Sequence, residues 1–171
     1  MKTLLILPLL ILLVACALPQ KRGENLPWPS GVTSLKGEGD LDMTWGKKHF
    51  SGPFVAQVEY PNRLLVEVYG PFGQTLVYVK KEAGRFVLIA GDERTTDETL
   101  FEQKYGFRVE QFMDDLLVRG QRQETPEGFV TEHASYLVRY GHDRQGRRKI
   151  CWQGRNGSIC LAFDEMNFVG Q

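Results

Sequence analysis

The chain has 171 residues with 21 basic and 21 acidic side chains, so no overall field draws it to nucleic acid or to an acidic polymer. Glycine (18 residues) and aromatics (11%) are plentiful while long helical patterns are few, which predicts a mostly β protein. Once the N-terminal leader is set aside, about 155 residues remain, enough for one domain.

That leader, residues 1–15, reads as a processing signal. Met1-Lys2 supplies one positive charge, and Leu4 to Ala15 is an apolar run broken only by Pro8. About twelve residues reach roughly 18 Å as a helix, well short of a ~30 Å hydrocarbon core, so a cleaved signal fits better than a spanning helix. The run ends in Leu13-Val14-Ala15-Cys16, which resembles the bacterial lipobox, in which lipid is attached to the cysteine before cleavage. Several acyl chains on Cys16 would give lasting attachment. By resemblance to Gram-negative lipoproteins, Ala17 rather than Asp favours the outer membrane, facing the oxidising periplasm. Residues 16–34 then form a lipidated tether rich in Pro, Gly and polar groups. Trp28, between two prolines, is expected to pack on the edge of the domain at 35–171.

From Leu35 the apolar period is two. Leu35, Leu41, Met43 and Trp45 alternate with Lys36, Glu38, Asp40, Asp42 and Thr44, predicting a half-buried strand. Gly46 to His49 turns the chain into a second strand that places Phe50, Phe54, Ala56, Val58 and Tyr60 on one side. Pro61-Asn62 leads to a third strand at 63–70, Pro71-Phe72-Gly73 to a fourth at 74–81, and a fifth covers 85–90. Connections this short argue for an antiparallel meander. Thr95-Thr96-Asp97-Glu98 reads as a capping box with a threonine hydroxyl at the cap, opening a helix to about Tyr105 that Gly106 ends. A second helix is expected from Glu110 to Arg119, closed by Gly120, with Val109, Phe112, Met113, Leu116 and Leu117 on one stripe. A polar loop at 121–128 precedes strands at 129–140, 147–153 and 158–163.

The last two strands form a hairpin around Gly154-Arg155-Asn156-Gly157. Cys151 and Cys160 fall opposite or diagonal to each other on one of its surfaces. Opposite, they suit a disulfide in an oxidising compartment; diagonal, they remain two thiols on a half-covered face. Neither belongs to a redox Cys-x-x-Cys.

Catalytic chemistry has no foothold. His49, His133 and His142 show no metal-ligand spacing, and there is no G-x-S-x-G elbow, phosphate loop or H-E-x-x-H. The acidic pairs Asp40/Asp42 and Asp114/Asp115 read as solvent-exposed, and nothing calls for a cofactor. The basic turn Arg144 to Lys149 reads as a solvated hairpin end, with contact to anionic lipid headgroups as the sharper alternative. What the sequence does hold is an excess of apolar strand face, since the third, fourth and fifth strands are apolar on both sides. Either the interior is filled, or a curved sheet is only partly filled by its helices and keeps an apolar pocket.

The stretch RLLVEVYGPFGQTLVYVKK…GDERTTDETLFEQKYGFRVEQFMDDLLVRG at 63–120 resembles the LolB family of outer-membrane lipoprotein receptors. The resemblance rests on a strand ending in a Pro-Leu-Gly-type turn, a following hairpin, an acidic helix start and a second helix of the form G…L…L.G. It implies a mainly β (α+β) fold: a single curved antiparallel sheet forming a half-barrel, with two short helices on the concave face around a hydrophobic cavity. It implies binding of the acyl chains of other lipoproteins, received from a LolA-like periplasmic carrier and released into outer-membrane lipid, with no enzymatic step and as a monomer. On this chain the cavity residues would be Met43, Trp45, Phe54, Val58, Val66, Val68, Leu88, Phe112, Leu116 and Trp152. Phe72 matches the loop residue that assists membrane insertion; the alternative is a turn aromatic folded back on the sheet. The chain departs from the family in lacking an amphipathic helix before the first strand, in its short 121–128 loop and in its cysteine hairpin. A non-enzymatic envelope scaffold on the same fold, with a filled interior, is the competing reading.

Overall fold

The computed structural model describes residues 27–170, so the leader, Cys16 and the first part of the expected tether lie outside the described residues. In chain order the strands and helices are β1 (Ser34–Trp45), β2 (Lys48–Glu59), β3 (Arg63–Tyr69), β4 (Thr75–Glu82), β5 (Arg85–Ala90), β6 (Glu93–Thr95), α1 (Glu98–Tyr105), α2 (Val109–Leu116), β7 (Gln123–Thr125), β8 (Gly128–Glu132), β9 (Tyr136–His142), β10 (Arg148–Gly154) and β11 (Gly157–Val169). All eleven strands join one antiparallel sheet in the order β6-β5-β4-β3-β2-β1-β11-β10-β9-β8-β7. The sheet is open, a mainly β half-barrel with two short helices against one face.

The order follows from the short turns. Five strands meander outward from β1, and four more meander inward to β11, which pairs with β1 along its full length. Antiparallel alternation therefore gathers the β1–β2, β3–β4, β5–β6, β8–β9 and β10–β11 turns at one end, here the distal end. The chain enters at Ser34 and leaves at Val169 at the other, proximal end, where these two residues are paired.

Inward side chains stack in rows across the strands. The proximal row Leu35, Val58, Leu64 and Phe86 is fully covered, and Ala56, Val66, Val79 and Leu88 form the next. Gly37 and Gly39 leave that part of β1 bare, and the Phe163 ring lies over Gly37, edge-on to Phe54 at 5.1 Å. Gly39 sits at a bulge opposite Phe163, so close to the Ala162 carbonyl that any Cβ would collide with it.

Several boundaries differ from the sequence reading. Packed structure begins before residue 35: Val32 is in the core, the Thr33 amide donates to the Gly170 carbonyl, and Trp28 packs edge-on against Phe129 and Tyr140. The polar loop at 121–128 contains β7, and β11 runs six residues past 163 because β1 needs a partner along its whole length. The span expected as one strand at 129–140 is two, broken where the His133 amide donates to the Tyr136 carbonyl. The cap of α1 is Asp97, whose carboxylate accepts from the Thr99 amide at 2.8 Å, while Thr95 supports Asp97 itself. Gly106 ends α1 in a left-handed conformation, as its position predicts.

The second helix stops at Leu116, short of Arg119. Val118 takes the left-handed position expected for Gly120, with its amide bonded to the Asp115 carbonyl and the Arg119 amide to the Asp114 carbonyl. A β-branched residue there costs about 1–2 kcal/mol, offset by burying the Val118 side chain in the core.

On the outer face Cys151 and Cys160 are directly opposite in register, with Cα atoms 4.1 Å apart, and are joined in a disulfide. The double variant Cys151→Ala/Cys160→Ala should keep the fold and lose about 2–3 kcal/mol, read as a lower urea midpoint. An unchanged midpoint would show that the bond adds nothing to stability.

Candidate functional site

Between the distal half of the sheet and the two helices a cavity of about 530 Å³ opens. Its walls are Leu41, Met43, Trp45 and Phe50 from the β1–β2 hairpin and Val66, Val68, Val77, Val79, Leu88 and Ala90 from the rows of β3, β4 and β5. Phe101, Tyr105, Phe107 and Phe112 close it from the helix side. The Trp45 indole N–H donates to the Lys104 carbonyl at 3.0 Å, so the tip of β1 is fastened to the end of α1 at the mouth.

Of the ten residues assigned to the cavity from sequence, the structure brings together Met43, Trp45, Val66, Val68, Leu88 and Phe112. The other four do not line it. Phe54 is committed to Phe163 in the space left by Gly37 and Gly39, and Val58 lies in the covered proximal row. Leu116 is wholly buried on α2. Trp152 is buried behind Phe112, with ring centroids 4.9 Å apart. All four point inward, but inward at the proximal end or beneath α2 means into solid core.

What holds α2 there is a residue the sequence reading assigned to solvent. Asp115 is 0% exposed. Its carboxylate accepts from the Trp152 indole N–H and the Tyr136 hydroxyl, each at 3.0 Å, and pairs with His133 Nε2 at 2.9 Å. Its backbone carbonyl accepts from the Tyr140 hydroxyl at 3.0 Å. Three strand-side elements thus converge on one helical residue: β9, β10 and the β8–β9 turn. Burial and the Asp115 carboxylate push both tyrosines far above the ordinary phenol range, so they remain donors. The hydrogen bond to Asp115 raises His133 above the usual imidazole value, against the opposing effect of burial.

A second tie holds the helix N-termini. Burial opposes the charge on Lys81, but hydrogen bonds to Glu110 and Glu98 outweigh it and keep the ammonium above its ordinary range. One β4 side chain so links the first turns of α1 and α2 to the sheet. Ser135 of the β8–β9 turn adds a bond to the Gly106 carbonyl at 2.6 Å.

Phe72 is 92% exposed at the tip of the β3–β4 turn, on the distal end where the cavity opens. It does not fold back on the sheet: the Gly73 amide bonds to the Gly70 carbonyl and the Phe72 amide to Gln74 Oε1, which turns the ring outward. At the proximal end the basic turn is largely engaged. Arg147 is bound by Asp40, Asp143 and Asp164, and Arg148 lies over the Trp28 and Phe168 rings. Among the described residues no cluster of His, Cys, Asp and Glu could hold a metal ion, and no helix is long and apolar enough to cross a membrane.

No protein-family model matches the chain, and no curated protein matches it either.

Asp115→Ala should leave two buried donors and His133 without their acceptor and destabilise the protein by roughly 3–5 kcal/mol. Denaturant unfolding would show it; a loss below about 1 kcal/mol would mean that the network is not what fixes α2. His133 has a folded pKa above its unfolded value near 6.5. Its contribution is therefore complete below that value and is lost as pH rises through the folded pKa. The urea midpoint should fall between mildly acid and mildly alkaline pH, and His133→Gln should flatten that slope. A slope that survives the substitution would assign the titration elsewhere.

Proposed function

We propose that this chain is an outer-membrane lipoprotein, lipidated at Cys16, that shelters an acyl chain of another lipoprotein in its distal cavity and helps insert it into the membrane. The reading rests on the unfilled apolar hollow opening on the end that carries the exposed Phe72. The likeness of residues 63–120 to the LolB family supports it, and implies a LolA-like carrier as the donor.

The size of the hollow sets its capacity. A methylene takes up roughly the ~30 Å³ that a water molecule holds in the liquid, so a ~16-carbon chain needs on the order of 500 Å³. The cavity has room for at least one such chain. At about 0.8 kcal/mol per CH₂, that chain is worth on the order of 10 kcal/mol when kept from water. Handing it from one apolar cavity to the next and then into lipid keeps the hydrocarbon covered throughout, so each step is close to neutral and no catalytic group or nucleotide is required. Phe72 would enter the bilayer first, gaining about 2–3 kcal/mol from burial of its ring. A scaffold of the same fold would have no use for an empty hollow of this volume.

Native mass spectrometry of the full chain should show uptake of one fatty-acyl ligand; a protein that stays unliganded at saturating ligand would refute the reading. Phe72→Glu should fold normally, because the side chain touches little, yet weaken vesicle binding and slow delivery of a lipoprotein to membranes by about tenfold or more. Delivery at the wild-type rate would remove Phe72 from the mechanism.

A further inference from the structure

The cavity is apolar within but not neutral at its mouth. Lys47, Lys48, His49 and Lys104 belong to its lining, and no carboxylate does. The first three come from the β1–β2 turn and the start of β2, and the fourth from the last turn of α1, which the Trp45 bond brings alongside. Lys47 and Lys48 are exposed and form no salt bridge among the described residues. Lys104 has a single carboxylate partner, Glu93, which lies outside the lining; burial and the neighbouring Lys48 ammonium both act against its charge. His49 faces Asp42 at 3.9 Å on the outer side of the hairpin.

A hollow with room for one hydrocarbon chain and a rim of cations is complementary to a particular kind of molecule. We infer that the cavity selects a single-chain amphiphile with an anionic head, held by Lys47, Lys48 and Lys104 at the mouth while its tail lies along Val66, Val68 and Val77. This rests on the reading that the cavity takes a hydrocarbon chain, but it names a second ligand: a lipoprotein's chains hang from neutral ester and amide bonds, so a free anionic amphiphile would compete with them for the hollow. An anionic head relieves the mutual repulsion of Lys48 and Lys104, whereas a neutral ester or alcohol leaves it in place. A long-chain fatty acid is the simplest molecule of this class.

The test offers palmitate and hexadecanol together to the full chain and reads the ratio of the two loaded species by native mass spectrometry. Equal tails isolate the head. The wild-type protein should favour palmitate by about tenfold or more, and Lys47→Gln/Lys48→Gln should abolish most of that preference while still taking up hexadecanol. Because both lysines are solvent-exposed, the double variant retains the fold. Equal loading of the wild type overturns the head-group inference and leaves the acyl-chain reading intact. A preference that persists in the double variant overturns the assignment to these lysines. Loading by neither ligand removes the acyl-chain reading and this inference with it.

Discussion

Two helices of eight residues, each about 12 Å long, lie across a sheet whose central strands extend about 40 Å. This mismatch of length governs the rest of the structure. At the proximal end the helices, Val32 and the Phe54–Phe163 pair close the interior to solid packing. Toward the distal end only the last turn of α1 and the Phe107 and Phe112 rings reach over the inward rows of β1 to β5. That cover is incomplete, and the hollow is the result. A bare apolar surface of this kind costs free energy in water, so the remainder of the domain must be stable enough to carry it.

Asp115 supplies part of that stability by converting a loose helix-on-sheet contact into a fixed one. Trp152, Tyr136 and His133 can all be satisfied only if α2 sits at one height on the sheet. Lys81 fixes the opposite ends of the helices through Glu98 and Glu110. With both ends held, α2 has no freedom to slide distally and fill the hollow. Polar bonds within the protein thereby preserve an apolar vacancy next to them.

The meander was legible in the sequence because its strands alternate cleanly and its turns carry Gly, Pro and Asn. The curved, open half-barrel was expected from the family resemblance and not from strand patterns, which do not reveal Gly37, Gly39 or the bulge opposite Phe163. Inward-facing residues were identified correctly as a set, but alternation cannot tell a covered row from an open one. Hence Val66, Val68 and Leu88 line the cavity, whereas Val58 and Phe54 do not. Asp115 was hidden by its neighbour: read as an Asp-Asp pair it looks solvated, yet helical spacing sets it three residues after Phe112, at the flank of the apolar stripe. The basic rim was read only as a turn, because its meaning depends on what lies beneath it.

Ser34 enters the sheet at the end opposite Phe72. A lipid on Cys16 would be separated from the packed segment at Pro27 by the ten residues 17–26, which extend at most ~35 Å. That is slightly less than the length of β1, so, if the proposed anchoring holds, a molecule standing upright with Phe72 in its own bilayer would strain its leash. Reclined, with strands nearly parallel to the lipid plane, it brings both ends within reach. Under the proposed function, receiving cargo from the periplasm and surrendering it to the membrane would then be two postures of one rigid body, exchanged by a swing about the lipid attachment point.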